Sequence, residues 1–113
     1  MSGWVVETLD ARVDREIEEL PVGLRAALAR IAELVEELGL ERLREPYVKH
    51  IDGPIWEMRP KAREGIARAF YVTRVGRRII ILRVFVKKTE ATPRRELDLA
   101  RQRLRELEEG RRP

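Results

Sequence analysis

The middle of the chain begins with five residues, 55–59, in which apolar and polar side chains alternate strictly. This period of two is typical of a β-strand that is buried on one side only. It places Trp56 and Met58 on one face, where we expect them to join the core. Glu57 and Arg59 lie together on the opposite face, so the pattern predicts a polar surface there.

Two further apolar runs follow, and short turn signals separate them. Residues 66–74 again have period two, with Arg68 among apolar neighbours on one side. Residues 78–86 are apolar almost without a break, which indicates an interior strand covered on both faces. Gly65 opens the first of these runs, and residues 75–77 contain a glycine that joins it to the second. The three runs therefore predict two hairpins in an antiparallel sheet.

Apolar residues three and four positions apart predict a pair of helices before these strands. Asp10 is a good N-cap for the first helix, which Pro21 ends. A second helix begins near Pro21 and ends at Gly39. Together they form an antiparallel hairpin whose apolar stripe can cover one face of the sheet. Their acidic residues, Glu16 among them, are spaced for the solvent side, and no metal site is expected.

The remaining segments complete one α+β domain. Residues 4–9 suit a short first strand, and residues 40–52 are interpreted as a connector with one extra helical turn. Thr92 is the expected N-cap of a last helix over residues 93–109. The order β-α-α-β-β-β-α predicts a small, mostly antiparallel sheet with its helices on one face, formed by residues 1–113 as a single domain.

Composition narrows the class of protein. The chain has no cysteine, so neither a disulfide framework nor a thiolate metal site is expected. The first residues lack the basic-then-apolar pattern of a signal peptide, and no apolar run approaches the roughly 18 residues of a membrane span. These observations predict a cytoplasmic protein without a membrane segment and without a cofactor.

The charge is distributed unevenly along the chain. The net charge is only +4, but residues 1–48 hold six basic and eleven acidic residues, whereas residues 49–88 hold eleven basic and three acidic ones. A basic sheet beside acidic helices is typical of a site for a polyanion, most often a nucleic acid. A solvated surface on a charge-rich protein is the alternative interpretation.

The order of elements and three motifs resemble a known family. The motifs are the Trp-Glu-Met-Arg strand at residues 56–59, the Arg-Ala-Phe-Tyr strand at residues 68–71, and the Lys-Lys-Thr sequence within residues 85–93, where Thr-Pro then opens an Arg/Glu-rich helix. In these features the chain resembles the RelE/HigB-type toxins of the RelE/ParE superfamily, in the branch related to phage-derived proteins. The resemblance covers nearly the whole chain.

The resemblance implies a toxin that cleaves mRNA in the ribosomal A site and is neutralised by a cognate antitoxin, which we expect to be a helix-turn-helix protein. The implied site is the sheet face that carries Glu57, Arg59 and Arg68. The expected site residues, with no metal among them, are Glu57, Arg59, Arg68 and Lys88 for catalysis and Lys61, Arg63, Arg83 and Lys87 for RNA binding. Two alternatives stay open: a ParE-like inhibitor of DNA gyrase, and a non-catalytic nucleic-acid-binding module.

The chemistry of RNA cleavage agrees with these residue types. Without a metal, the 2′-hydroxyl can attack the adjacent phosphate if a base, a charge stabiliser for the phosphorane and an acid are present. Arg59 and Arg68 suit charge stabilisation, because a guanidinium grips two phosphate oxygens and stays charged. Glu57 is either the base or a salt-bridge partner that holds the arginines in place.

Overall fold

A mixed six-stranded sheet with helices on both of its faces forms the fold. The computed structural model describes residues 1–89 and 91–110. The strands lie in the order β1-β6-β5-β3-β2, with β4 paired to β5; β1 runs parallel to β6, and the other pairs are antiparallel. In chain order the elements are β1 (Val5–Thr8), α1 (Ala11–Glu18), α2 (Val22–Leu38), a 3₁₀ turn (Leu40–Arg42), β2 (Val48–Asp52), β3 (Ile55–Met58), β4 (Lys61–Ala62), β5 (Gly65–Arg74), β6 (Arg78–Val86) and α3 (Arg94–Glu109).

The predicted α+β class, the N-terminal helical hairpin and the mostly antiparallel sheet are confirmed. Asp10 caps α1 through a hydrogen bond from the backbone N–H of Arg12, and Gly39 ends α2 with a positive φ. The prediction that residues 40–52 form only a connector is wrong, because β2 lies there. This strand carries polar side chains and pairs only with β3, so no apolar alternation marked it in the sequence.

A bulge in β6 decides which way its side chains point. Phe70 pairs with Arg83 and Tyr71 pairs with Ile81, so Leu82 is the extra residue between them. Because the bulge shifts the alternation by one residue, Val84 packs beneath the helical hairpin. Arg83 points instead to the opposite side, towards Phe85.

The helical hairpin covers one face of the sheet and forms the larger core. From the helices, this core takes Val13, Leu20, Leu24, Leu28, Ile31 and Val35. From the sheet, it takes Met58, Ala67, Ala69, Tyr71, Ile79, Ile81 and Val84. Trp56 was expected in this core, but it is 40% exposed, because β3 lies beside the edge strand and the helices leave that end of the sheet uncovered.

The last helix packs on the opposite face, so the prediction that all helices lie on one face is wrong. In α3, Ala100 is buried against Phe70, Val72, Ile80 and Leu82, with Leu97, Leu104 and Leu107 around them. Burial on both faces explains why β6 is apolar almost throughout. The order of elements did not specify the face, since either side of the sheet was compatible with the loop that leads to α3.

Glu16 lies between elements and not on the solvent side where its spacing had placed it. Its carboxylate accepts hydrogen bonds from the backbone N–H of Val84 and from Arg103, and it pairs with Arg83 at 2.9 Å. Arg103 in turn donates to the carbonyl oxygen of Leu82. Side chains of α1 and α3 therefore satisfy the backbone of β6 where β1 no longer covers its edge.

Candidate functional site

Glu57 and Arg68 form a buried ion pair on the sheet face opposite the helical hairpin. Glu57 lies on β3 and Arg68 on the neighbouring β5, and Arg68 donates from Nε to the Glu57 carboxylate. Their exposed fractions are 1% and 4%. The Arg68 guanidinium also lies over the rings of Phe70 and Phe85, at 5.3 and 5.8 Å from their centroids. Packing from two aromatic rings holds this cation in one orientation.

Two further residues complete what we call the arginine–glutamate cluster: Glu57, Arg59, Arg68 and Thr92. The second carboxylate oxygen of Glu57 lies 3.6 Å from Arg59 Nε. Arg68 Nη2 donates to Thr92 Oγ1 at 2.8 Å. Alternation along β3 predicted that Glu57 and Arg59 share a face, and their ion pair agrees with that prediction.

The cluster has the electrostatics of an anion site. Two guanidinium groups share one carboxylate, so the cluster carries one excess positive charge. Arg68 Nη1 and Arg59 Nε are buried and have no hydrogen-bond acceptor among the described residues. A buried N–H without an acceptor is costly, so each of these atoms keeps an unused donor that an anion entering the cluster would satisfy.

Arg83 lies near the cluster but is held by carboxylates. It donates to Glu96 on α3 at 2.7 and 3.1 Å and pairs with Glu16 on α1. Burial alone would lower the pKa of Arg83, but the hydrogen bond to Glu96 and the charges of both carboxylates outweigh burial and raise it. The Phe85 ring lies near both Arg83 and Arg68, with its centroid 5.8 Å from each guanidinium carbon. An RNA phosphate at Arg83 would compete with two carboxylates.

The four remaining predicted residues lie at the ends of the strands. Lys61 begins β4, and Arg63 lies in the turn that follows; both are exposed. Lys87 follows β6 and donates its backbone N–H to Ile66. Lys88 is exposed and lines a cavity of about 510 Å³ next to Phe85. The structure thus brings Glu57, Arg59 and Arg68 into one cluster, whereas Lys61, Arg63, Lys87 and Lys88 lie at or just beyond the ends of β4 and β6.

Sequence reasoning gave Thr92 the wrong partner. It was the expected N-cap, but Pro93 occupies that position, and no side chain caps α3 there. The Thr92 hydroxyl instead accepts a hydrogen bond from Arg68, 24 residues earlier in the chain. No local pattern in the sequence indicates so distant a contact.

Among the described residues, no group of three or more histidine, cysteine, aspartate or glutamate side chains could hold a metal ion. No helix within the same residues is long and apolar enough to cross a membrane.

The sequence and the fold were compared with known proteins. The family model for phage-derived Gp49-like proteins matches residues 15–105, which is most of the chain. The chain belongs to this Gp49-like family. These proteins are RelE/HigB-type toxins, so the resemblance seen in the sequence is confirmed for the Gp49-like chain. A comparison with curated proteins found no significant match.

The Gp49-like fold also has a solved relative. It resembles a chain in the crystal structure of the archaeal RelE–RelB complex from Pyrococcus horikoshii OT3, with a TM-score of 0.56 and 19% sequence identity. The match covers 79% of this chain and 99% of that one. At this identity, the match shows that the Gp49-like chain has the RelE-like fold.

Proposed function

We propose that this protein is the toxin of a toxin–antitoxin pair and cleaves mRNA in the ribosomal A site. The single observation that carries the proposal is the arginine–glutamate cluster, where two arginines share one buried carboxylate and keep N–H groups free for an anion. Membership of a family whose toxins are generally endoribonucleases supports the same conclusion.

The cluster suits a reaction in which the 2′-hydroxyl of the RNA attacks the adjacent phosphate. Negative charge accumulates on the phosphorane oxygens in the transition state, and guanidinium groups fixed in advance stabilise that charge. Arg68 is fixed by Glu57, Thr92 and two aromatic rings. Arg59 is more exposed than Arg68, so it is the arginine that can reach RNA at the surface.

Glu57 acts in this proposal as a positioning residue and not as the general base. Its two oxygens already face Arg68 and Arg59, and its side chain is almost fully buried. A base must reach the proton that it removes, and burial behind two cations leaves the Glu57 carboxylate no open path to a 2′-hydroxyl. Lys88, exposed at the end of β6, is the proposed acid for the leaving oxygen, and the proton of the 2′-hydroxyl passes to solvent, because no member of the cluster is free to accept it.

An antitoxin is the proposed protein partner. The solved relative was crystallised as a RelE–RelB complex, which makes a cognate antitoxin the natural partner for this chain as well. The exposed basic residues Lys61, Arg63 and Lys88 offer an acidic partner a surface to occupy.

Primer extension on cellular mRNA after brief induction tests the proposed function. We expect new 5′ ends within translated frames for the wild type, and a loss of these ends of about two orders of magnitude for Arg59→Ala, as for removal of one preorganised charge donor. Arg105→Ala, which removes an exposed arginine of α3, is the matched control and should cleave like the wild type. Growth arrest with intact mRNA and DNA breaks at gyrase sites would overturn the nuclease proposal in favour of gyrase inhibition.

A further inference from the structure

A second feature beside the cluster is a groove between α2 and β4 with a volume of about 350 Å³. We call it the Tyr47 groove; Arg30, Ile31, Tyr47, Arg59, Lys61 and Ile66 line it. The apolar residues of its lining include Ala27 and Ile31 from α2 and Ile66 from β5. Tyr47 also lines the groove, and 46% of its surface is exposed, so its ring is accessible to a ligand.

The charge of the Tyr47 groove favours an anionic ligand. Its lining contains three cationic side chains, and among the described residues no carboxylate lines it. Arg30 lies 3.5 Å from Glu33 and Arg59 lies 3.6 Å from Glu57, but Glu57 is shared with Arg68 and Lys61 is exposed, so the groove keeps a net positive potential.

A second cavity provides an internal comparison. It has a volume of about 640 Å³ and contains Trp56, but both cations and carboxylates line it, including Arg44 and Glu45. The His50 ring already packs edge-on against Trp56, with 5.2 Å between ring centroids. A polyanion gains no net attraction in such a mixed rim, so an exposed aromatic ring by itself does not identify a nucleotide site.

A continuous series of contacts connects the Tyr47 groove to the cluster. The backbone N–H of Arg59 donates to the carbonyl oxygen of Tyr47 at 2.9 Å, so the two residues lie opposite each other just beyond the paired ends of β2 and β3. Arg59 then meets Glu57 at 3.6 Å, and Glu57 binds Arg68. Arg59 therefore links the two sites, since it lines the Tyr47 groove and pairs with Glu57 in the cluster.

We propose that the Tyr47 groove binds one nucleotide of a single-stranded RNA, with the base stacked on the Tyr47 ring and its phosphate held by Arg59 and Lys61. This inference rests on the proposed function, since it assigns a place to the nucleotide that adjoins the phosphate at the cluster. Aromatic stacking accepts any base, so the groove adds affinity without reading sequence. Its volume is at the small end of ligand cavities, which fits one nucleotide and not a longer segment.

Binding of short fluorescent oligoribonucleotides to the free protein tests the groove without the ribosome. A set of tetranucleotides, intact or with one base removed at each position in turn, is titrated against the wild type. We expect removal of one particular base to weaken binding about five- to hundredfold, the range for one base stacked on an aromatic side chain. Tyr47→Ala should weaken binding of the intact oligonucleotide to the same extent and should no longer respond to removal of that base.

Two matched variants complete the test. Tyr47→Phe keeps the ring and should bind like the wild type, whereas Trp56→Ala removes a similarly exposed ring from the mixed cavity and should leave RNA binding unchanged. Wild-type RNA affinity in Tyr47→Ala would contradict the proposal that the groove binds a nucleotide. Failure of the wild type to bind any of the oligonucleotides would contradict it as well. Unchanged RNA binding together with weakened antitoxin binding in Tyr47→Ala would assign the groove to a protein partner and would also overturn the proposal.

The outcomes separate this inference from the proposed function. If base-dependent binding through Tyr47 is found but primer extension shows no cleavage, nucleotide binding by the groove is supported and the nuclease proposal is contradicted. If cleavage is found while Tyr47→Ala binds RNA like the wild type, the nuclease proposal is supported and nucleotide binding by the groove is contradicted.

Discussion

Arg68 illustrates how one residue serves both the fold and the proposed chemistry. Its guanidinium contacts Glu57, Thr92 and two phenylalanine rings, yet one of its N–H groups keeps no acceptor among the described residues. Most contacts of the Arg68 side chain thus fix its orientation, and one N–H group remains for a ligand. A charge donor oriented in this way needs no reorganisation when charge develops on the substrate.

Removing Arg68 should therefore destabilise the fold. Arg68→Ala leaves Glu57 buried without its main cation, and breaking a buried pair costs about 3 to 5 kcal/mol; Arg59 nearby should keep the loss near 3 kcal/mol. Urea denaturation measures the free energy of unfolding. The double variant Glu57→Ala/Arg68→Ala should lose clearly less than the sum of the two single variants, and additive losses would contradict the buried pair.

Thr92 offers a milder change at the same scale. Thr92→Val removes the hydroxyl that accepts from Arg68 Nη2 and keeps the shape of the side chain. Loss of one such hydrogen bond is worth about 1 kcal/mol, so we expect cleavage to fall about fivefold, mainly in kcat, and the melting temperature to fall by roughly 4 °C. Thr92→Ser should restore the rate. Equal loss in the Ser and Val variants would show that the methyl group, and not the hydroxyl, matters.

At the scale of the elements, ion pairs fix the N-terminal end of α1. Asp10 caps its N-terminus and binds Arg12, which also reaches Glu106 near the end of α3 at 2.7 Å. The hydrogen bond from Arg12 lowers the pKa of Asp10 below its ordinary value of 3.8. The same arginine lowers the pKa of Glu106.

These shifts predict a pH dependence for the attachment of α1. A carboxylate whose pKa is lower in the folded state stabilises the fold fully above its ordinary pKa and loses that contribution as the pH falls through the folded value. Asp10→Asn keeps the cap but not the charge, so its deficit in unfolding free energy relative to the wild type should be present at pH 6 and shrink below about pH 3.8. Denaturation at several pH values measures it, with Glu18→Gln on the exposed side of α1 as the control. A constant deficit would mean that the charge plays no part.

At the scale of the whole molecule, Glu16 joins the two helical layers across the end of the sheet. It contacts Arg83 on β6, Arg103 on α3 and the backbone of Val84. Arg103 is itself buried, so it depends on Glu16 and on the carbonyl oxygen of Leu82 for its hydrogen bonds. Few other polar contacts connect α1 to α3 within the residues that the structure describes.

Replacing Glu16 should weaken the fold more than any exposed carboxylate would. Glu16→Ala leaves the buried Arg103 without a counter-charge and the Val84 N–H without an acceptor, and we expect a loss of about 3 kcal/mol in unfolding free energy. For a domain of this size that corresponds to a fall in melting temperature of roughly 10 °C or more. Thermal denaturation measures it, and Glu19→Ala, exposed at the end of the same helix, is the control. Similar melting temperatures for the two variants would show that Glu16 is not a structural bridge.

The sequence by itself determined the elements whose signals are local. The apolar runs at residues 55–86, the cap at Asp10 and the stop at Gly39 depend on neighbours within a few positions, and β3, β5, β6, α1 and α2 lie where those signals predicted them. Alternation along β3 also placed Glu57 and Arg59 on one face. Spacing along a strand or helix determines the face of a side chain, because the backbone geometry repeats.

Only the tertiary structure decided the rest. The face that α3 covers, the burial of Glu57 with Arg68, the contact between Arg68 and Thr92 and the position of Tyr47 beside Arg59 all join residues that are distant in sequence. A polar edge strand such as β2 becomes visible only when its partner is in place. Such contacts depend on which surfaces meet after the chain has folded, and the order of apolar and polar residues along the chain does not contain that information.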